Sequence, residues 1–290
     1  MELQFTKMHG LGNDYIYIDA MANDLSAYNL ETLAAVLSDR HFAIGGDGLI
    51  LVDASEIADF KMRIFNSDGS EAEMCGNGIR AFARYVYEHG LTDRLEFEVE
   101  TAAGIITPSL RLAGDEVVEV SVDMGPPRLT RAEIPMEGQP ADQPVIAEEI
   151  KIDDQTFTVT CVSMGNPHCV IFVDEIIDDL IYVFGAQIEH HELFPQRTNV
   201  EFIQVLGKDE LLMRVWERGA GETLACGTGA SAATVAAILN GYCGEAVTVH
   251  LLGGDLQIRW REGESVFLTG SAHEAYTGTV DPSLLREAGA

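Results

Sequence analysis

The chain repeats itself around two cysteines. Residues 62–81 read MRIFNSDGSEAEMCGNGIRA, and residues 213–232 read MRVWERGAGETLACGTGASA. The stretches align without a gap at a constant offset of 151 residues, which sets Cys75 opposite Cys226. Met, Arg, Glu, Cys, both Gly and the last Ala coincide, while Ile64/Val215 and Phe65/Trp216 are near matches. Each cysteine opens a Cys-Gly-x-Gly turn. A duplication of this kind builds two similar halves and presents one thiol from each at the same point of the fold.

Hydrophobic spacing fills in the halves. Residues 5–8 and 15–19 read as strands joined by a turn at His9–Asn13, and 30–40 has helical spacing at Leu30, Leu33, Ala34 and Leu37. Strands are expected at 49–53 and 61–65. A helix follows Cys75, with Ile79, Phe82, Ala83 and Val86 on one face and Gly90 at its end. Short strands at 95–100, 105–112 and 117–123 come next. Met124-Gly125-Pro126-Pro127 breaks the pattern and marks a domain boundary, and the Pro-, Gln- and Glu-rich segment 135–148 reads as a surface loop. The second half restarts with strands at 155–163 and 169–174. The offset pairs 49–52 with 200–203, the helix after Cys75 with an Ala-rich helix after Cys226, and Gly90 with Gly241. Strands at 246–252, 255–260 and 265–270 complete it. The expected fold class is α+β in two halves: 1–125 plus about 272–290 carrying Cys75, and 126–271 carrying Cys226.

A chain of 290 residues is long enough for two such domains. The net charge of −29 argues against nucleic acid, because phosphate binding needs a basic surface. No apolar run approaches the ~18 residues of a membrane span, and the N-terminus lacks the pattern of a signal peptide. Five cysteines, without CxxC spacing or a secretory context, read as reduced thiols in a cytoplasm. His168-Cys169 and His190-His191 match metal ligands only by residue type, and Gly10-x-Gly12 lacks the rest of a dinucleotide fingerprint. No metal and no cofactor are expected.

The chemistry comes from the paired turns. First-turn N–H groups have no partner inside a helix, and with the helix dipole they favour negative charge. On this argument they lower a thiol's pKa from about 8.5 toward neutrality, and they can hold a carboxylate. With two such turns facing each other, one thiolate removes an α-proton and the other thiol returns a proton on the opposite face. Stereochemistry then inverts with no cofactor. Cys161, Cys169 and Cys243 lack such a setting and read as packing residues.

Seven ordered segments carry a resemblance over nearly the whole chain: MHGLGNDYIYID, GGDG, RIFNSDGSEAEMCGNGIRAFARY, GNPHCVIFVD, RTNVEF, WERGAGETLACGTGASA and the tail around Tyr276. The sequence resembles the diaminopimelate epimerases. The resemblance implies two pseudo-symmetric domains, each a curled, mostly antiparallel sheet around a central helix, with the active site in the cleft between them. It implies interconversion of LL- and meso-diaminopimelate for lysine and peptidoglycan synthesis, by a cytoplasmic homodimer without pyridoxal phosphate or metal. Cys75 and Cys226 become the proton-transfer pair. Asn13, Asn66, Asn166 and Asn199 become substrate contacts, joined by Gly76, Asn77, Gly227 and Thr228 at the helix starts. Amides suit a zwitterion, since each offers donor and acceptor. Glu217 and Arg218 supply a charge pair for ammonium and carboxylate. His168 and Glu217 are candidates for catalytic support, and Tyr276 for a dimer contact. Gly48 stands where some members of the family carry a glutamine.

Three other functions fit parts of the pattern. Proline or hydroxyproline racemases usually show Cys-Gly-His in the first turn, whereas here it is Cys75-Gly76-Asn77. Phenazine-type isomerases do not keep both cysteines. A non-catalytic amino-acid-binding protein would need the amides and charges but no paired thiols.

Overall fold

The computed structural model describes residues 3–72, 75–281 and 285. Residues 73–74 of the first cysteine motif, and 282–284 and 286–290 of the tail assigned to the first half, lie outside the described residues. The chain forms two compact units, Met1–Val122 with Gly270–Ala290, and Asp123–Thr269.

Unit 1 runs β1 (Leu3–Gly10), β2 (Asn13–Asp19), α1 (Leu30–Ser38), β3 (Gly48–Asp53), β4 (Phe60–Asn66), β5 (Glu71–Ala72), α2 (Gly76–Glu88), β6 (Val99–Thr101), β7 (Gly104–Ile106), β8 (Ser109–Ala113) and β9 (Glu116–Asp123). Unit 2 runs β10 (Glu148–Ile152), β11 (Gln155–Ser163), β12 (Pro167–Phe172), a π-helical turn Leu180–Gly185 continuing into α3 (Ala186–Glu189), β13 (Asn199–Val205), β14 (Glu210–Glu217), β15 (Gly221–Glu222), α4 (Gly227–Leu239), β16 (Ala246–Leu251), β17 (Gly254–Arg259) and β18 (Phe267–Gly270). The chain then returns to unit 1 as β19 (His273–Val280).

The duplication is written into the sheet. In unit 1, β1–β2 is antiparallel, β2–β3 parallel, β3–β4 antiparallel, β4–β6 parallel and β6–β7 antiparallel. Unit 2 repeats that succession through β11–β12, β12–β13, β13–β14, β14–β16 and β16–β17. The sheets are therefore mixed. A tight turn can join only antiparallel neighbours, and α2 and α4 are the crossovers that make β4–β6 and β14–β16 parallel. β19 pairs antiparallel with β1, as β10 does with β11, so the tail supplies the strand that the first half lacks.

The identities in the repeat have structural reasons. Arg63 pairs with Glu71 at 2.8 Å, and Arg214 with Glu222 at 2.7 Å, each bridging a long strand and the short strand beside it. Both helices end alike. Gly90 and Gly241 take φ of 70° and 75°, which a side chain would disfavour. Leu91 N–H then reaches Val86 O, and Tyr242 N–H reaches Ala237 O, closing the same C-cap in each half. Nearly all of α2 and α4 is buried against the unit's own sheet. α4 achieves this with alanines and no amphipathic stripe, as expected for a helix covered on every side.

The structure corrects some of these expectations, and the strand expected at 105–112 forms as two, β7 and β8. Segment 135–148 is not simply a surface loop, because Met136 and Val145, with neighbouring Ile134, are buried in the core of unit 2. The 95–100 strand shortens to Val99–Thr101.

Candidate active site

Each cysteine is the N-cap of its helix. The sulfur of Cys75 accepts the N–H of Gly78 at 3.3 Å, and that of Cys226 accepts the N–H of Gly229 at 3.4 Å. A side chain at Gly78 would meet Cδ1 of Ile50 at 2.8 Å, and one at Gly229 would meet Oε1 of Glu201 at 2.8 Å. Ile50 and Glu201 are themselves repeat partners. The glycines thus let the sheet close against the helix start, and the residue arriving there is apolar in one half and charged in the other.

In unit 1 the Cys75 thiol donates to Oδ1 of Asn13 at 3.4 Å. Asn13 is held by its other end, with Nδ2 donating to Oδ2 of Asp47 at 2.7 Å. Asp47 also accepts the N–H of Asp14 at 3.0 Å and the Arg40 guanidinium at 2.9 Å. Arg40 grips both oxygens of Asp14, and Lys7 pairs with Asp14 at 2.6 Å. This network fixes which way the Asn13 amide points. Asn66 donates to Oγ of Ser70 at 3.0 Å. Asn77 is buried and accepts from Arg80, which also holds the Gly76 carbonyl. Gly48 has no room for a side chain, since a Cβ there would lie 2.1 Å from the carbonyl oxygen of Phe65.

In unit 2 a hydrogen-bonded chain leads from the core to Cys226. Nδ1 of His168 lies 2.7 Å from Oε1 of Glu201, and its Nε2 lies 3.0 Å from Oδ1 of Asn166. Asn166 donates to Oγ1 of Thr228 at 3.2 Å, and Thr228 Oγ1 lies 3.5 Å from the Cys226 sulfur. Glu217 stands beside Cys226, where its charge opposes ionisation of the thiol, and it accepts the Thr223 hydroxyl. Asn199 is buried with both ends engaged: Oδ1 accepts the N–H of Arg218 at 2.9 Å, and Nδ2 donates to the Pro167 carbonyl at 2.8 Å. Arg218 donates to the Gln196 carbonyl at 3.1 Å. Buried Glu189 accepts from Trp216 and the N–H of Gly219, so it holds the Glu217-Arg218 turn from both sides.

The thiols are less acidic than the helix-start argument implies. Burial pushes Cys75 up, opposed by the Gly78 and Asn77 N–H groups, Tyr15 and the charge of Arg80. Burial pushes Cys226 well above the ordinary thiol range, and Glu217 and Glu201 add to it, against Thr228 and the Gly229 N–H. The helix start acts in the expected direction, but desolvation outweighs it. Burial also raises Glu217 above the ordinary carboxylate range. The two sulfurs sit in matched geometry with opposite electrostatic company, a phenol and a cation against two carboxylates.

Tyr15, Arg80, Glu201 and Thr223 are site neighbours that motif reading missed. The repeat offset held a signal for Tyr15, which it sets opposite Asn166. Tyr276 lies on β19, about half exposed, edge-on to Phe5 at 6.0 Å between ring centres. Cys161 and Cys169 are buried register partners on β11 and β12.

The family model for diaminopimelate epimerase matches residues 5–130 and 160–274. A diaminopimelate epimerase of Moorella thermoacetica is 56% identical over 277 residues, covering 95% of this chain and 98% of its own. One from Methanococcus maripaludis is 49% identical over 280 residues, covering 96% and 100%. Among solved structures, a PhzF-family phenazine biosynthesis protein of Bacillus anthracis superposes with a TM-score of 0.68 at 15% identity, covering 97% of this chain and 99% of that one. A hydroxyproline epimerase from Agrobacterium vitis gives 0.67 at 14% identity, covering 98% and 94%. At such identities these two report the fold alone.

Proposed function

The chain belongs to the diaminopimelate epimerase family, and on that basis we propose that it interconverts LL-2,6-diaminopimelate and meso-diaminopimelate with two thiols as acid and base. It is an isomerase. The carrying observation is the pair of cysteine-capped helices at one repeat position, each sulfur held by the N–H of the third helical residue. Inversion at a carbon needs a proton removed from one face and another delivered to the opposite face. A duplicated thiol meets that need without a cofactor.

In this reading Cys75 is the base for the first transfer, because Tyr15 and Arg80 favour its ionised form. Cys226 is the acid, because Glu217 and Glu201 keep its proton on. Each transfer moves one proton from carbon to sulfur or from sulfur to carbon, so the sulfurs end with exchanged states and the reverse reaction uses the same groups. First-turn N–H groups at Gly76-Asn77 and Gly227-Thr228 serve a substrate carboxylate and the charge that grows on it as the carbanion forms. Asn13, Asn66, Asn166, Asn199 and Arg218 serve substrate orientation. His168 and Glu217 act as support, Glu217 through its charge beside Cys226.

The family relatives favour this reading over a proline-type racemase or a binding protein. The place in metabolism is the supply of meso-diaminopimelate for lysine and cell-wall precursors. A reducing cytoplasm suits two thiols that must cycle protons without joining. A homodimer is the proposed assembly, with Tyr276 on the outer strand β19 as a contact. The deciding experiment is turnover of LL-diaminopimelate in deuterated water. Wild type incorporates deuterium at the α-carbon as it epimerises, and Cys75→Ala and Cys226→Ala do not epimerise. Sustained epimerisation by either variant would sink the two-base reading, and faster turnover of hydroxyproline would point to the racemases.

A further inference from the structure

Arg80 lies one turn into α2 with no exposure to solvent. Its guanidinium is spread over three neutral acceptors. Nη1 donates to the Gly76 carbonyl at 2.9 Å, Nη2 to Oδ1 of Asn77 at 2.8 Å, and Nε to the Ser271 carbonyl at 3.4 Å. The turn before β2 closes over it, since a side chain at Gly10 would meet Nη2 at 3.1 Å. Among the described residues it has no carboxylate partner, whereas Arg84, one turn on, pairs with Glu88 and Glu116. A buried cation without an anion is costly, and burial lowers the Arg80 pKa to about 10. The groups that act against that burial are the ionised forms of Cys75 and Tyr17.

The second half supplies an internal control. The repeat partner of Arg80 is Ser231, also buried. Its hydroxyl donates at 3.0 Å to the carbonyl of Gly227, which is the repeat partner of Gly76. The same carbonyl is thus satisfied in both halves, once by an uncharged hydroxyl and once by a guanidinium. Fixing the helix start does not require a charge, and the half that carries one is not the half whose thiol lies beside Glu217 and Glu201.

We propose that Arg80 is a positioning residue for the proton chemistry of Cys75: its fork fixes the Gly76-Asn77 turn that follows the sulfur, and its charge is the counter-charge of the ionised sulfur. The inference rests on Cys75 acting as a proton carrier. Among the described residues, the other titratable groups facing Cys75 are Tyr15 and Tyr17 from β2, and Asp47, from the loop before β3, faces Tyr15 in turn. Arg80 is the cation of that set, and it sits on the helix that Cys75 caps.

The test is the pH dependence of iodoacetamide alkylation in the full chain, read separately at Cys75 and Cys226 by peptide mass spectrometry. In Arg80→Gln the Cys75 midpoint rises by about one pH unit, equivalent to roughly tenfold less thiolate at a fixed lower pH, while the Cys226 profile stays in place. In Arg80→Lys, which keeps the charge, the Cys75 midpoint stays within about half a unit of wild type. An unmoved Cys75 profile in folded Arg80→Gln, or an equal shift at both cysteines, would overturn the proposal. Should Arg80→Gln not fold, Arg80→Lys decides, and a rise of about one unit or more there would also overturn it. Alkylation does not depend on turnover, so these failures are separate from failure of the epimerase reading, which is sustained epimerisation by Cys75→Ala.

Discussion

His168 and Glu201 meet at 2.7 Å with neither side chain exposed to solvent. Glu201 stands on β13, and His168 on the neighbouring parallel strand β12, in register with Asn199. Among the described residues, Oε2 of Glu201 has no hydrogen-bond partner. The carboxylate therefore depends on His168 for compensation, and His168 passes the constraint on through Asn166 and Thr228 to Cys226. Removing the carboxylate leaves Nδ1 of His168 buried without its partner, and a buried polar group left unsatisfied costs about 1–3 kcal/mol. Glu201→Ala is expected to lose that much stability in urea unfolding. Glu201→Gln keeps a hydrogen-bonding group and loses less, and it makes the Cys226 thiol more acidic by removing one of the carboxylates that oppose its ionisation. An unchanged or raised alkylation midpoint for Cys226 in Glu201→Gln would contradict this.

The two active thiols are not equivalent in the free protein. Burial raises both, but Tyr15 and Arg80 counter it at Cys75, whereas Glu217 and Glu201 reinforce it at Cys226. As pH rises, Cys75 is expected to react with iodoacetamide before Cys226. The same shifts couple to folding. An unfolded thiol gives up its proton near its ordinary pKa of about 8.5, while these folded thiols still hold theirs. Their contribution to stability is fully present below that value and is lost as pH climbs through it toward the folded pKa values. Replacing Cys226 by Ala removes its part of that alkaline loss. Urea titrations between neutral and alkaline pH measure it, and the reverse order of alkylation would refute the electrostatic picture.

Much of this was legible in the chain because a gapless repeat carries register as well as composition. α2 and α4 start and end at the repeat offset, as do the capping glycines Gly90 and Gly241. The tail from about 272 is grouped with the first half, but β19 as a strand was not legible, since its partner β1 lies at the opposite end of the chain, and strand pairing over such a distance leaves no local pattern. Arg80 and Glu201 escaped notice because they sit among apolar neighbours in a helix and a strand, and their meaning lies in what they face after folding. The acidity of the thiols was misjudged for the same reason. N–H groups at a helix start follow from local sequence, but burial is set by the whole unit.

Gly48 tests how tightly β3 and β4 are joined. It is in register with Asn66 on β4 and Tyr15 on β2. A Cβ there would stand 2.1 Å from the Phe65 carbonyl oxygen and 2.9 Å from the Tyr15 ring. Backbone cannot swing aside as a side-chain tip can, so the strands must part. Gly48→Ala is expected to cost at least about 2–3 kcal/mol, in the range of overpacked cores, and to displace both Tyr15 and Asn66. Gly48→Gln should be no better tolerated. A melting temperature equal to wild type for Gly48→Ala would show that the strands separate at little cost.

Glu217 should trade stability against activity. It is part-buried beside Cys226, and its carboxyl is raised by burial despite the hydrogen bond from Thr223. A raised carboxyl contributes stability that is present below the ordinary carboxylate range and lost as pH rises through its folded value. At neutral pH the folded protein thus keeps a charge that the unfolded chain holds more easily. Glu217→Gln removes that charge while keeping an oxygen for the Thr223 hydroxyl. The variant is expected to melt higher than wild type at neutral pH, with the advantage fading in acid, where the carboxyl is protonated in both states. Epimerisation should fall, because the support for the Cys226 proton is gone, and Cys226 should alkylate at lower pH than before. This is the pattern of a functional group held at the expense of stability. Thermal melts at several pH values, run beside a turnover assay, check it. A variant that melts lower at neutral pH would mean that the carboxylate is held favourably, and that its hydrogen bonds outweigh burial.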